Sequence, residues 1–129
     1  MLSKRILGAA LVALTMASGS AAADEITFAV VGPMTGQLAT IGDQFRHGAE
    51  AAVAAINEAG GVGGRTIKLA VEDDVCDPKQ AVSVANRIVA NGINFIDGHA
   101  CSGSSIPASA VYAEAGALMM SPEIGRAHV

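Results

Sequence analysis

Short apolar runs alternate along this chain with stripes at helical spacing, and a glycine closes nearly every unit. Ile26 to Val31 (ITFAVV) is continuously apolar and ends at Gly32-Pro33, as a strand buried on both faces does. A loop from Pro33 to Gly42 follows. Phe45, Ala49, Ala52, Val53 and Ile56 then form one helical stripe, with Arg46, His47, Glu50, Asn57 and Glu58 on the opposite face and Gly60 at the C′ position. Gly61 to Gly64 turn the chain into a second strand, Thr66 to Glu72. Asp77 is a good N-cap, Pro78 fits the first helical position, and Gln80 completes a capping-box-like pattern. The helix they open turns Ala81, Val84, Ala85, Ile88 and Val89 inward and stops at Gly92. Asn94 to Asp97 reads as strand three. Ile106 to Ala115 reads as a shorter helix, with Pro107 in its first turn and Gly116 after it. Ala117 to Ser121 reads as strand four.

This βαβαβαβ order predicts an α/β fold with a doubly wound parallel sheet of four strands and three helices. Every strand-to-helix loop then lies on one edge of the sheet, where open α/β folds bind ligands. Three loops meet there: Gly32 to Gly42, Asp73 to Asp77, and Gly98 to Ser105. In the third, the hydroxyls of Ser102, Ser104 and Ser105 stand with backbone N–H groups at a helix start. Such a place attracts a carboxylate or phosphate, although one serine is also needed simply to cap the helix. Asp73 and Asp74 read as solvated strand-end carboxylates or as polar lining of the site mouth.

Residues 1–23 read as a secretory signal peptide. Lys4 and Arg5 make the positive start, Ile6 to Ala17 the apolar stretch, and Ala21-Ala22-Ala23 the small residues before cleavage. The apolar stretch is shorter than the roughly 20 residues that span a bilayer. Export makes the environment oxidising, which favours pairing Cys76 with Cys101. Closing that loop would stabilise the fold by roughly 3–4 kcal/mol in the chain-entropy picture.

Other chemistries find little support. The chain is 129 residues with a formal charge of −4, and no basic patch offers itself to nucleic acid. Neither G-x-G-x-x-G nor G-x-x-x-x-G-K-S/T occurs, which argues against a nucleotide cofactor. His99-Ala100-Cys101 lacks the further ligands and spacing of a metal site. His99 offers itself as a base for Ser102 in an exported hydrolase, but Ser102 is not in a G-x-S-x-G elbow and no acid is placed by spacing. A hydrogen-bonded loop histidine is the simpler reading.

The run Asp73-Asp74-Val75-Cys76-Asp77-Pro78-Lys79-Gln80-Ala81-Val82, with Val84-Ala85-Asn86, closely resembles the exported leucine/isoleucine/valine-binding proteins of bacterial ABC importers. Gly98-His99-Ala100-Cys101-Ser102, then Pro107-Ala108-Ser109 and Tyr112, fit the same pattern. So do Val31 to Gly36 and Gly42-Asp43-Gln44. The resemblance implies that residues 24–122 begin lobe one of a two-lobed periplasmic binding protein with strand order 2-1-3-4. It implies a Cys76–Cys101 disulfide and a Ser102 hydroxyl that bonds the α-carboxylate of a bound amino acid. Ser121 and Ile41 are further ligand-contact candidates, Ile41 standing where the family has an aromatic contact. The implied partners are a small amino acid and the membrane permease of an importer, with no cofactor and a monomeric full-length form. A sensor domain on the same fold is the alternative.

The resemblance stops at Pro122. Where the family has an Ala-x-Thr step, this chain has Glu123-Ile124-Gly125. Glu123 to Val129 is what GAG-ATC-GGA-AGA-GCA-CAC-GTC encodes, which looks like a sequencing adapter read in frame. Residues 123–129 are therefore expected to be a non-native tail on a truncated gene.

Overall fold

A computed structural model describes residues 25–122. The signal peptide expected over residues 1–23 and the tail expected over 123–129 lie outside them. The elements run β1 (Ile26–Gly32), α1 (Ala39–Glu58), β2 (Ile67–Asp73), α2 (Pro78–Ala90), β3 (Phe95–Asp97), α3 (Ser102–Ala115) and β4 (Leu118–Met120). All three strand pairings are parallel, and the sheet order is β2-β1-β3-β4. The doubly wound sheet expected from the alternation of strands and helices is the fold observed.

Alternation along β1 sends its side chains to two unlike faces. Ala29 and Val31 join Ile96 of β3 against α2 and α3, where Val84, Ala85, Ile88, Ala108 and Tyr112 complete a core that excludes water. Phe28 lies on the other face, over which α1 packs against β1 and β2. Asn57, assigned to the polar face of α1, is half-buried instead. Its amide donates to the Ile67 carbonyl at 2.8 Å and accepts from the Ile67 N–H at 2.7 Å, fastening the end of α1 to the start of β2.

The helix starts separate what local chemistry marks from what it does not. Asp77 caps α2 as its pattern predicts, its carboxylate accepting from the Gln80 N–H at 2.8 Å. α1 begins at Ala39 rather than beyond Gly42, and its N-cap, Leu38, has no side chain that can cap. α3 begins at Ser102, so Pro107 sits inside it. The extra turn forms because the Cys101 carbonyl accepts from the N–H groups of Ser104 and Ser105 at 3.0 and 2.8 Å.

Candidate functional site

β1, β2 and β3 all deliver their C-terminal ends to one edge of the sheet, and the loops that leave them are tied together there. Asp73 and Asp74 do most of the tying, which corrects their reading as solvated carboxylates. As neighbours at a strand end they point to opposite sides. Asp73 reaches the first loop, accepting from the Met34 N–H at 2.9 Å and from the Thr35 hydroxyl, and it also accepts from Val75 N–H at 3.0 Å. Burial pushes the Asp73 carboxyl upward, but the Thr35 hydroxyl and the N–H groups of Val75 and Met34 outweigh it and hold the group below its ordinary value.

Asp74 turns the other way and is fully buried. One of its oxygens accepts from the Cys76 N–H at 2.9 Å, and the other lies 2.6 Å from His99 Nδ1. His99 is also fully buried, and its Nε2 lies 3.1 Å from the Tyr112 hydroxyl. The Tyr112 phenol is raised above its ordinary pKa, first by burial and then by the charges of Asp74 and Glu72. Two residues beyond this pair, Cys76 and Cys101 form a disulfide with Cα atoms 5.6 Å apart. Their loops leave strands on either side of β1 and therefore meet above it.

Val75 and Cys76 both adopt left-handed backbone, φ 45° and 55°. Holding two non-glycine residues there needs support from the surroundings. The carboxylates of Asp73 and Asp74, each accepting an N–H two residues on, supply it.

The expected ligand contacts take different places on this frame. Ser102 is exposed at the first position of α3, where the N–H groups of a helix start point outward. Ser104, in the same turn, is fully buried, and its hydroxyl has no partner among the described residues. Ser121 is half-buried just past β4. Its hydroxyl donates to the His99 carbonyl at 3.1 Å, and the Ser105 hydroxyl donates to the same carbonyl at 2.8 Å. Ile41 is exposed, in the first turn of α1 rather than in a loop. Both ring nitrogens of His99 are engaged and no water reaches them, so a hydrolase built on Ser102 lacks its base. Among the described residues no cluster of three or more His, Cys, Asp or Glu side chains could hold a metal ion, and no helix is long and apolar enough to cross a membrane.

The Asp74–His99–Tyr112 chain escaped sequence reasoning. The only signal for it was an acidic doublet at a strand end, and spacing along the chain does not reveal which member turns inward.

A family model described as periplasmic binding protein matches residues 25–127. The leucine-, isoleucine-, valine-, threonine- and alanine-binding protein of Pseudomonas aeruginosa is 48% identical over 116 residues, covering 90% of this chain and 31% of its own. The Leu/Ile/Val-binding protein of Escherichia coli K12 is 50% identical over 105 residues, 81% of this chain and 29% of its own. Among solved structures, the branched-chain amino acid transporter substrate binding protein of Streptococcus pneumoniae, in complex with isoleucine, superposes with a TM-score of 0.74 at 31% identity. That match covers 78% of this chain and 29% of the other. A substrate-binding protein from Desulfitobacterium hafniense, in complex with leucine, gives 0.64 at 36% identity over 77% of this chain and 29% of the other. This chain thus spans about a third of the length of the curated relatives it matches. On the family match and the shared fold, the chain belongs to the periplasmic binding protein family.

Proposed function

We propose that this chain is the first part of lobe one of an exported solute-binding component that serves an ABC importer of branched-chain amino acids. The observation that carries the reading is the exposed Ser102 heading α3, on a sheet edge held by a disulfide and a buried carboxylate–imidazole hydrogen bond. The ligand's carboxylate docks on the Ser102 hydroxyl and the Gly103 N–H at the head of α3, which the positive helix end favours. Ile41 offers apolar contact from the start of α1. Ser121, turned onto the His99 carbonyl, sets the edge. The protein binds and releases its ligand without chemistry and passes it to a membrane permease. The leader is removed after Ala23, and the full-length protein acts as a monomer.

The relatives named for leucine, isoleucine and valine support the ligand class. Calorimetry of the full-length gene product against the amino acids tests it: heat with leucine, isoleucine or valine is expected, and none with all three overturns the assignment. Resequencing the locus tests residues 123–129 as a foreign tail. An open frame continuing through a second lobe supports that reading, and a stop directly after Val129 overturns it.

A further inference from the structure

Two clasps join the second and third loops, and they run in parallel. Cys76 and Cys101 are separated by 25 residues, and so are Asp74 and His99, each member of the pair lying two residues before a cysteine. The two clasps differ in their access to solvent. Cys76 and Cys101 are half-buried, whereas Asp74 and His99 are wholly buried. A soluble reductant cleaves only the disulfide and leaves the hydrogen-bonded clasp in place. A carboxylate–imidazole bond shielded from water is also stronger than the same bond on the surface.

His99 does more than close a loop. Its ring joins the end of β2 to the last turn of α3 through Asp74 and Tyr112. Its carbonyl takes the hydroxyls of Ser105, in the first turn of α3, and Ser121, beyond β4. The preceding residue, Gly98, donates its N–H to the Met120 carbonyl at 2.8 Å. One residue thus ties the start of α3, and with it Ser102, to the ends of β2 and β4.

We propose that His99 is the positioning residue of the ligand edge, setting the start of α3 through Asp74 and Tyr112 and through its own carbonyl, so that the edge keeps its form without the disulfide. The ligand-binding part of this rests on the function proposed above.

The test compares four variants of the full-length protein with the parent. Leucine affinity is read by calorimetry, and the His99 ring by its far-downfield imidazole N–H resonance. Cys76→Ser combined with Cys101→Ser is expected to keep the resonance and to weaken leucine binding by no more than about threefold. His99→Ala, with the disulfide intact, is expected to lose about tenfold or more, the loss that one charge-assisted hydrogen bond produces. His99→Asn places an amide N–H where Nδ1–H stood, so it should still reach Asp74 and recover most of the affinity. Tyr112→Phe should shift the resonance and weaken binding less than His99→Ala does.

Loss of binding in the double cysteine variant to the level of His99→Ala overturns the proposal. So does parent-like binding by His99→Ala. If His99→Ala does not fold, His99→Asn decides, and failure of that variant to bind while folded is equally fatal. A parent that binds none of the three amino acids sinks the proposed function instead. Positioning by His99 is then read from hydrogen exchange of the Ser102 to Ser105 amides. Faster exchange in His99→Ala than in the double cysteine variant, with His99→Asn close to the parent, supports it, and the reverse order overturns it.

Discussion

The rings of Phe28 and Phe95 stack with centroids 5.4 Å apart at 13° between planes, on directly paired positions of β1 and β3. They mark where cover on the α1 side of the sheet runs out. Phe95 is 39% exposed, and beyond it on β4 Leu118 and Met120 are 61% and 70% exposed. A groove of about 400 Å³ opens there between the sheet and the Ala49–Ile56 stretch of α1. Parallel sheets are ordinarily covered on both faces, so half of this one is left bare.

The bare face has a direct consequence for the 129-residue chain in solution. A contiguous apolar patch of this kind binds hydrophobic dyes and drives association. The chain should self-associate at micromolar concentration and enhance the fluorescence of a naphthalene-sulfonate dye. Leu118→Lys with Met120→Lys should reduce both and leave the helical circular dichroism unchanged. Sedimentation velocity is the check, and a monomeric parent with no dye response would contradict the expectation.

Val75 gives a prediction of the opposite sign to most substitutions. It is β-branched, 45% exposed, and held at φ 45°, a region such residues avoid. Asparagine tolerates left-handed backbone far better. Val75→Asn should therefore stabilise the fold by about 1 kcal/mol, within the 1–3 kcal/mol that a strained residue stores. Urea unfolding measures it, and an unchanged or lower midpoint would show that the loop relaxes without strain.

α2 was legible from end to end because Asp77, Pro78 and Gly92 each do a local job that their type announces. The starts of α1 and α3 were not. Leu38 and Cys101 cap them without a side-chain hydrogen bond, and Pro107 wrongly suggested that α3 began a turn later. Strand order came from resemblance to a family, whereas the disulfide was legible both from that resemblance and from two cysteines in an exported chain. Asp74 stayed hidden because its burial depends on His99, 25 residues away, and a strand-end aspartate is solvated far more often than buried.

Two carboxylates should make stability depend on pH in opposite directions. Asp97, half-buried at the end of β3, is raised above its ordinary value by burial. Folding therefore favours its protonated form, and stability is lost as pH rises through the raised pKa. Asp97→Asn should be more stable than the parent at neutral pH, with the gap closing in acid. Asp73, lowered overall by its hydrogen bonds, contributes stability above the ordinary carboxylate value that disappears as pH falls through its lower folded pKa. Asp73→Asn should be less stable than the parent at neutral pH, and this gap also closes in acid. Thermal melts of the three proteins between pH 3 and 8 would test both signs, and parallel curves would refute them.

Gly42 and Gly48 lie on the same helix and invite the same substitution, yet the surroundings predict contrary results. A Cβ on Gly48 would meet nothing within 4 Å. Alanine there should gain the helix-propensity difference alone, about 0.5–1 kcal/mol in favour of folding. A Cβ on Gly42 would lie 2.2 Å from the Pro33 carbonyl oxygen and 3.0 Å from Met34 Cα. Both are backbone atoms, in the segment that Asp73 fastens through the Met34 N–H, so neither can swing aside. Moving them means parting α1 from the first loop, an overpacking penalty of about 1–3 kcal/mol that exceeds the propensity gain. Gly48→Ala should thus raise the urea midpoint and Gly42→Ala lower it. Gly42→Ala should also weaken the protection of the Met34 amide against hydrogen exchange, since that bond is the first to stretch. Equal effects at the two positions would mean that α1 does not rest on the first loop as closely as the structure places it.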